Sequence, residues 1–130
     1  KNMKKAQIYL LTILSVLVFT TGFAQETEGE EVVIETVDKE AFKSAIASGE
    51  YVIFDVRTVD EYMEGHIENA KSLDVLDDQF EKTISNIDKA QKYLIYCKSG
   101  GRSQKALEKM KDAGFVHVLE LEGGYLNWIK

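Results

Sequence analysis

The sequence predicts an α/β fold, with a mainly parallel sheet that is covered by helices on both faces. Short runs of β-branched and aromatic residues recur along the chain, and each run has the length of a strand. Segments with apolar residues at helical spacing separate these runs. Strands that alternate with helices are joined by crossover connections, so the strands lie parallel and the sheet is buried on both sides.

The first 24 residues predict a secretory signal that is cleaved. Lys4 and Lys5 precede a mainly apolar run over 8–19, and the small residues Gly22 and Ala24 follow it. A permanent membrane anchor is the less favoured alternative, because this run is shorter than the ~20 residues that a helix needs to span a bilayer. We therefore expect an exported protein, periplasmic before secreted, with no stable membrane association after cleavage.

The charge of the remaining chain disfavours a nucleic acid as partner. Removing residues 1–24 removes three lysines and no acid, so 13 basic and 22 acidic residues remain, a formal charge of −9 against −6 for the whole chain. Binding to nucleic acid requires a basic face. Residues 25–31 include four glutamates and predict a solvated linker, so we expect the folded domain to span 32–130.

Five segments have the composition of strands, and two longer ones have the apolar spacing of helices. The predicted strands are Val32–Ile34, Tyr51–Phe54, Ala70–Leu73, Tyr93–Tyr96 and Val116–Leu119. The predicted helices cover 38–47 and 103–113, and Gly114 ends the second. Their inward-facing residues are predicted to be Ala41, Phe42, Ala45 and Ile46 in the first helix and Ala106, Leu107, Met110 and Ala113 in the second.

Two shorter helices are predicted from the residues at their N-termini. Thr58 and Glu61 have the spacing of a capping box, which predicts a helix that runs through Met63. The pair Gly123 and Gly124 predicts a turn after the last strand. A C-terminal helix should then pack its apolar residues onto the core, namely Tyr125, Leu126, Trp128 and Ile129.

Cys97 is the only cysteine in the chain, and the residues around it suggest that its thiol is reactive. Without a second thiol no internal disulfide forms, which also weakens a thiol–disulfide oxidoreductase mechanism. Cys97 ends a predicted strand and is followed by a loop with two glycines, before a helix that should begin near Ser103. Backbone N–H groups and the helix dipole would converge there and favour a thiolate. The alternative is a buried structural cysteine in an ordinary strand-to-helix turn.

Four motifs in order make the chain resemble the single-domain rhodaneses. The loop from Cys97 to Ser103 is similar to the active-site pattern Cys-x-x-Gly-x-Arg-Ser of that family. The remaining motifs are Asp55-Val56-Arg57 with Glu61-Tyr62, Gly65-His66-Ile67, and Glu122-Gly123-Gly124 with Trp128. The resemblance extends over 32–130. This chain departs from the family in having no proline, where the family usually places one near Val59 and one near Ser72.

The resemblance implies a five-stranded sheet and a sulfurtransferase without a cofactor. Cys97 would take sulfane sulfur from thiosulfate or polysulfide as a persulfide and pass it to cyanide or a thiol, in some cases a periplasmic acceptor protein. A low-turnover sulfur carrier or sensing module is the alternative. The loop has four residues between cysteine and arginine, whereas related phosphatases have five, so phosphatase activity is disfavoured.

The resemblance also implies which residues bind substrate, namely Lys98, Ser99, Gly100, Gly101, Arg102 and Ser103. Lys98 and Arg102 are expected to contact the oxyanion end of the donor.

The supporting residues Asp55, Arg57, Glu61 and His66 are expected to be mainly architectural. The resemblance suggests that Arg57 pairs with Glu61 and that Asp55 holds loop backbone. His66 should make a hydrogen bond in its turn, and His117 should pack or face solvent. One cysteine and two distant histidines give no metal-ligand spacing, so no metal is expected.

Overall fold

The structure, a computed structural model, describes residues 29–130, and these form a five-stranded, all-parallel sheet with helices packed on both faces. The predicted α/β class is confirmed. The predicted signal over 1–24 and most of the acidic linker lie outside the described residues. Within 29–130, no helix combines the length and apolarity that crossing a membrane requires.

All five predicted strands form, in the order β1-β5-β4-β2-β3 across the sheet. Their bounds are β1 Val33–Val37, β2 Tyr51–Asp55, β3 Lys71–Ser72, β4 Lys92–Tyr96 and β5 His117–Leu121. The first and last strands extend further toward the C-terminus than their apolar runs indicated, because β1 pairs with β5 along its whole length. The central strand β4 and its neighbour β5 are buried along most of their length.

Five helices connect and cover the strands. They are α1 Lys39–Ser48, α2 Val59–Glu64, α3 Phe80–Ser85, α4 Gly101–Asp112 and α5 Gly124–Trp128. The capping box of Thr58 and Glu61 is present, and α2 begins at Val59 without a proline. The helix α3 was not predicted, because only Phe80 and Ile84 of its residues are buried and so short a segment shows no clear period.

The core consists of two apolar layers, one on each side of the sheet. Tyr93 and Ile95 of β4 face the layer that contains residues of α3 and α4, while Leu94 and Tyr96 face the layer with α1 and α5. This alternation follows from the two-residue period of a strand. It explains why the predicted strands read as continuous apolar runs.

Three predicted inward-facing residues lie on the surface instead. Ala41 is exposed, because α1 presents only Phe42 and Ala45 fully to the core. Leu126 and Ile129 of the C-terminal segment are 44% and 60% exposed. Because α5 has five residues, only one of its sides reaches the core, where the Trp128 ring meets Phe42 edge-on at 6.1 Å.

The parallel arrangement brings the ends of three strands to one edge of the sheet. Asp55 ends β2, Cys97 directly follows β4, and Gly123 comes just after β5. The carboxyl edge of an open parallel sheet is the usual place for a ligand site. The motifs at the ends of these strands, separate in the sequence, therefore meet at one place.

Candidate active site

Cys97 lies at the base of a tight loop between β4 and α4, with only 1% of its surface exposed. The backbone N–H of Gly100 donates a hydrogen bond to Sγ at 3.0 Å. Gly100 has a φ of 117°, which is accessible to glycine and strained for other residues. The loop closes around the sulfur because this residue can adopt that conformation.

The loop favours the thiolate form of Cys97. Burial of the thiol opposes ionisation, but hydrogen bonds from Ser103 and from the backbone N–H groups of Gly100 and Ser99 outweigh it, so the pKa of Cys97 is lowered. The Ser103 hydroxyl lies 3.3 Å from Sγ. The thiol is thus enclosed in a loop that favours its ionisation, a setting typical of reactive cysteines.

The start of α5 holds the loop from the other side. The N–H of Tyr125 donates to the Cys97 carbonyl at 2.8 Å, and the N–H of Leu126 donates to the Lys98 carbonyl at 3.0 Å. Gly124 makes this approach possible, because a Cβ at that position would lie 2.5 Å from the Cys97 carbonyl oxygen. The predicted glycine turn therefore also fixes the position of the cysteine loop.

Arg102 is engaged in a bidentate ion pair with Glu61 of α2. Its two terminal nitrogens donate to the two carboxylate oxygens at 2.6 and 2.8 Å. The hydrogen bond from Arg102 lowers the pKa of Glu61 to about 2. Arg102 was expected to contact the oxyanion end of a donor, whereas here its fork ties the first turn of α4 to α2. Among the loop cations, Lys98 is the exposed one.

Arg57 pairs with Asp55 and not with Glu61, so the predicted Arg57–Glu61 pair is wrong. Nε and Nη2 of Arg57 donate to both oxygens of Asp55 at 2.6 to 3.1 Å, and Nη2 also donates to the Gly65 carbonyl at 2.6 Å. Asp55 accepts the backbone N–H of Arg57 at 3.0 Å. The guanidinium lies 4.3 Å over the Tyr125 ring. This buried pair links the end of β2 to the Gly65 turn and to α5.

The two histidines have local roles. His66 is exposed, its Nδ1 lies 2.9 Å from the Tyr62 carbonyl, and its ring stacks on Tyr62 at 3.8 Å. His117 packs on Tyr51, with 2.9 Å between Nε2 and the phenol oxygen. Both predictions for the histidines are confirmed, and neither ring reaches Cys97.

A cleft of about 220 Å³ opens beside the cysteine loop. One wall consists of charged groups from α2 and the loop, and the other is the exposed side of the C-terminal segment. The lining residues are Arg57, Glu61, Glu64, Gly65, Lys98, Tyr125, Leu126 and Ile129. Its size suits a small anion or the end of an extended thiol, with Lys98 as the cation at the rim.

Glu120 is a site residue that the sequence reasoning missed. It is 1% exposed in β5 and accepts a hydrogen bond from the Ser103 hydroxyl at 2.5 Å. A signal for it was present, since a glutamate between Leu119 and Leu121 in a strand buried on both faces requires polar partners. The partner, 17 positions away on α4, could not be identified before the fold was known.

Comparisons with known proteins identify the family of the domain. The family model for the Rhodanese-like domain matches residues 38–130. "Thiosulfate sulfurtransferase 18" of Arabidopsis thaliana is 35% identical over 120 residues, which cover 83% of this chain and 86% of that protein. A protein named "Sulfurtransferase" from Allochromatium vinosum is 32% identical over 98 residues, 75% of this chain and 90% of that protein. The crystal structure of a rhodanese-like domain protein from Staphylococcus aureus superposes with a TM-score of 0.64 at 28% identity, covering 72% of this chain and 90% of that one.

Proposed function

Because the chain belongs to the rhodanese-like domain family, we propose that it is a sulfurtransferase that carries sulfane sulfur as a persulfide on Cys97. The observation that supports this most directly is the hydrogen bond from the Gly100 N–H to Sγ, in a loop that lowers the pKa of the thiol. A sulfur anion is stabilised at this point. Two of the relatives named above, from Arabidopsis thaliana and Allochromatium vinosum, are called sulfurtransferases.

The proposed reaction has two half-reactions. In the first, the Cys97 sulfur attacks the outer sulfur of thiosulfate or a polysulfide, the S–S bond of the donor breaks, and sulfite or a shorter polysulfide leaves with the electron pair. In the second, cyanide or a thiol attacks the terminal sulfur of the persulfide. The Cys97 sulfur then leaves with the electron pair and the enzyme is restored.

Lys98 and the loop backbone would bind the donor. Lys98 is exposed at the rim of the cleft, where its ammonium group can meet the oxyanion end of thiosulfate. The N–H groups of Ser99, Gly100 and Ser103 face the sulfur and would stabilise the persulfide as they do the thiolate. Arg102 contributes by positioning, since its pair with Glu61 fixes the start of α4.

Intact mass spectrometry tests the proposal. Incubation with thiosulfate or with polysulfide should add one sulfur atom to the protein, and Cys97→Ser should stay unmodified under both conditions. A wild-type protein that gains no sulfur from either donor would overturn it.

The fate of the persulfide separates an enzyme from a dedicated carrier. We expect the persulfide to discharge rapidly to cyanide and to glutathione, because the cleft beside the cysteine loop, lined by Lys98, has the volume for small molecules. Rapid discharge supports turnover with small acceptors. Discharge only to a protein in a periplasmic extract would show that the domain is a carrier.

We also propose that the protein acts after export, on the basis of the signal-like residues 1–24. Expression of the chain in a Gram-negative host should release, in the periplasmic fraction, a protein whose N-terminus lies near Gln25. Recovery of the uncleaved chain in the membrane fraction would contradict this and favour the anchor.

A further inference from the structure

Glu120 is a buried carboxylate without a cationic partner, directly behind the cysteine loop. None of the ion pairs found within 29–130 includes it. Its oxygens accept hydrogen bonds from three neutral groups, at 2.5 Å from Ser103, 2.6 Å from Thr36 and 2.7 Å from Gln104. Buried carboxylates are normally paired with a cation, so an unpaired one next to a reactive thiol calls for an explanation.

The hydroxyl of Ser103 connects this carboxylate to the reacting sulfur. It has one proton and three acceptors within reach, namely Glu120 at 2.5 Å, the Gly100 carbonyl at 3.1 Å and Cys97 Sγ at 3.3 Å. A charged acceptor at the shortest distance takes the proton. A lone pair of Ser103 is then left to face Sγ, where it can accept the proton of the thiol.

We propose that Glu120 takes up the proton of the Cys97 thiol through the Ser103 hydroxyl, an inference that rests on the proposed function for its chemistry. When Cys97 enters the reaction as a thiol, the proton of Sγ passes to the Ser103 oxygen while Ser103 passes its own proton to the Glu120 carboxylate. The Ser103 hydroxyl then holds the proton that came from Sγ and donates it in a hydrogen bond to the thiolate, the contact described above for the ionised form. The electron pair stays on sulfur and forms the new S–S bond. The S–S bond of the donor breaks, and sulfite leaves with the electron pair of that broken bond.

The same path runs backwards when the persulfide is discharged. An acceptor thiolate attacks the terminal sulfur, the bond from Sγ to that sulfur breaks, and Sγ leaves with the electron pair. Protonated Glu120 then returns its proton through Ser103 to Sγ. The carboxylate is thereby ready for the next cycle.

The neighbours of Glu120 and of Cys97 limit where else the proton could go. Glu120 is met by Thr36 from β1 and by Ser103 and Gln104 from α4. At the other end, the charge of Arg102 interacts with Cys97, and Arg102 itself is paired with Glu61. Cys97 and Glu120 are therefore the two groups between which the proton can move along this path.

The pH dependence of Cys97 alkylation by iodoacetamide tests the electrostatic link. Glu120→Gln keeps the shape but removes the charge that competes with the thiolate, so the midpoint should fall by about one pH unit. Glu35→Gln, on the exposed side of β1, is the matched control and should leave the midpoint unchanged. A midpoint that stays or rises in Glu120→Gln would overturn the proposal, because loosening of the loop alone would raise it.

A solvent isotope measurement tests the proton transfer itself. The rate of persulfide formation from thiosulfate is measured by rapid mixing, at a pH where each protein has the same fraction of ionised Cys97. For the wild type this rate should be lower in D₂O than in H₂O. Glu120→Gln and Ser103→Ala should lose this difference. A wild type without an isotope effect, or variants that keep it, would contradict this relay, the proton transfer from Cys97 through Ser103 to Glu120.

These measurements separate the relay from the proposed function. Alkylation requires no sulfur transfer, so it reports on Glu120 even if neither donor loads Cys97, a result that would overturn the proposed function instead. If Glu120→Gln does not fold, as circular dichroism would show, the wild type and Ser103→Ala decide the question by the isotope effect.

Discussion

The two arginines of the chain make two ion pairs at the same edge of the sheet, and these pairs differ in burial and in purpose. In the pair of Arg57 with Asp55, the side chains are 5% and 0% exposed. In the pair of Arg102 with Glu61, they are 24% and 26% exposed. The buried pair connects the end of β2 to the Gly65 turn and to α5. The half-exposed pair connects α4 to α2 and so positions the loop that contains Cys97. We expect the first to matter mainly for stability and the second mainly for rate.

The largest expected effect is the loss of the buried pair. Asp55→Asn leaves the Arg57 guanidinium buried without its counter-ion, which should lower the free energy of unfolding by about 3–5 kcal/mol. Urea denaturation followed by circular dichroism measures this. Asp60→Asn, an exposed position in α2, serves as the control. A loss below about 1 kcal/mol, which is the range for exposed ion pairs, would show that the buried pair stabilises the fold no more than an exposed pair does.

Breaking the half-exposed pair should affect rate more than stability. Glu61→Gln should slow persulfide formation about tenfold, because the start of α4 and with it the N–H groups around Cys97 would shift. The free energy of unfolding should fall by about 1 kcal/mol. Arg102→Lys should resemble Glu61→Gln, since a lysine cannot make the bidentate contact. If either variant lost stability without losing rate, the positioning role of the pair would be wrong.

Acid should weaken the same pair in a defined range of pH. The folded pKa of Glu61 is about 2 against an ordinary value of 4.5, so its contribution to stability is complete above pH 4.5 and is lost as the pH falls toward 2. The difference in unfolding free energy between wild type and Glu61→Gln should therefore shrink between pH 7 and pH 3. Urea titrations at both values measure it, and a constant difference would show that the carboxylate charge is not involved.

The smallest effect is expected from a pair outside the site. Lys109 and Glu81 lie 2.8 Å apart with side chains 40% and 71% exposed, where water and salt screen the interaction. Lys109→Ala should change the unfolding free energy by about 0–1 kcal/mol and leave persulfide formation unaltered. A thermal melt and the rapid-mixing assay check both expectations. A marked loss of rate would mean that α4 transmits changes from its far end to the loop.

Local features of the structure were predictable because neighbouring residues produce them. The capping box needs only the three-residue spacing from Thr58 to Glu61, and the strands need only their β-branched and aromatic composition. Exposure on the short C-terminal helix was harder to predict. Leu126 and Ile129 are apolar in the sequence, yet a five-residue helix has too little inward surface to bury them.

The sequence by itself determined the α/β class, the five strands and the loop that places Cys97 at a helix start, since each depends on local period, composition and glycine content. Only the tertiary structure decided which acid each arginine meets and what lies behind the sulfur. Glu61 is 41 positions from Arg102, and Glu120 is 17 positions from Ser103. Such partners are selected by where the sheet brings α2, α4 and β5 together, which no local pattern encodes.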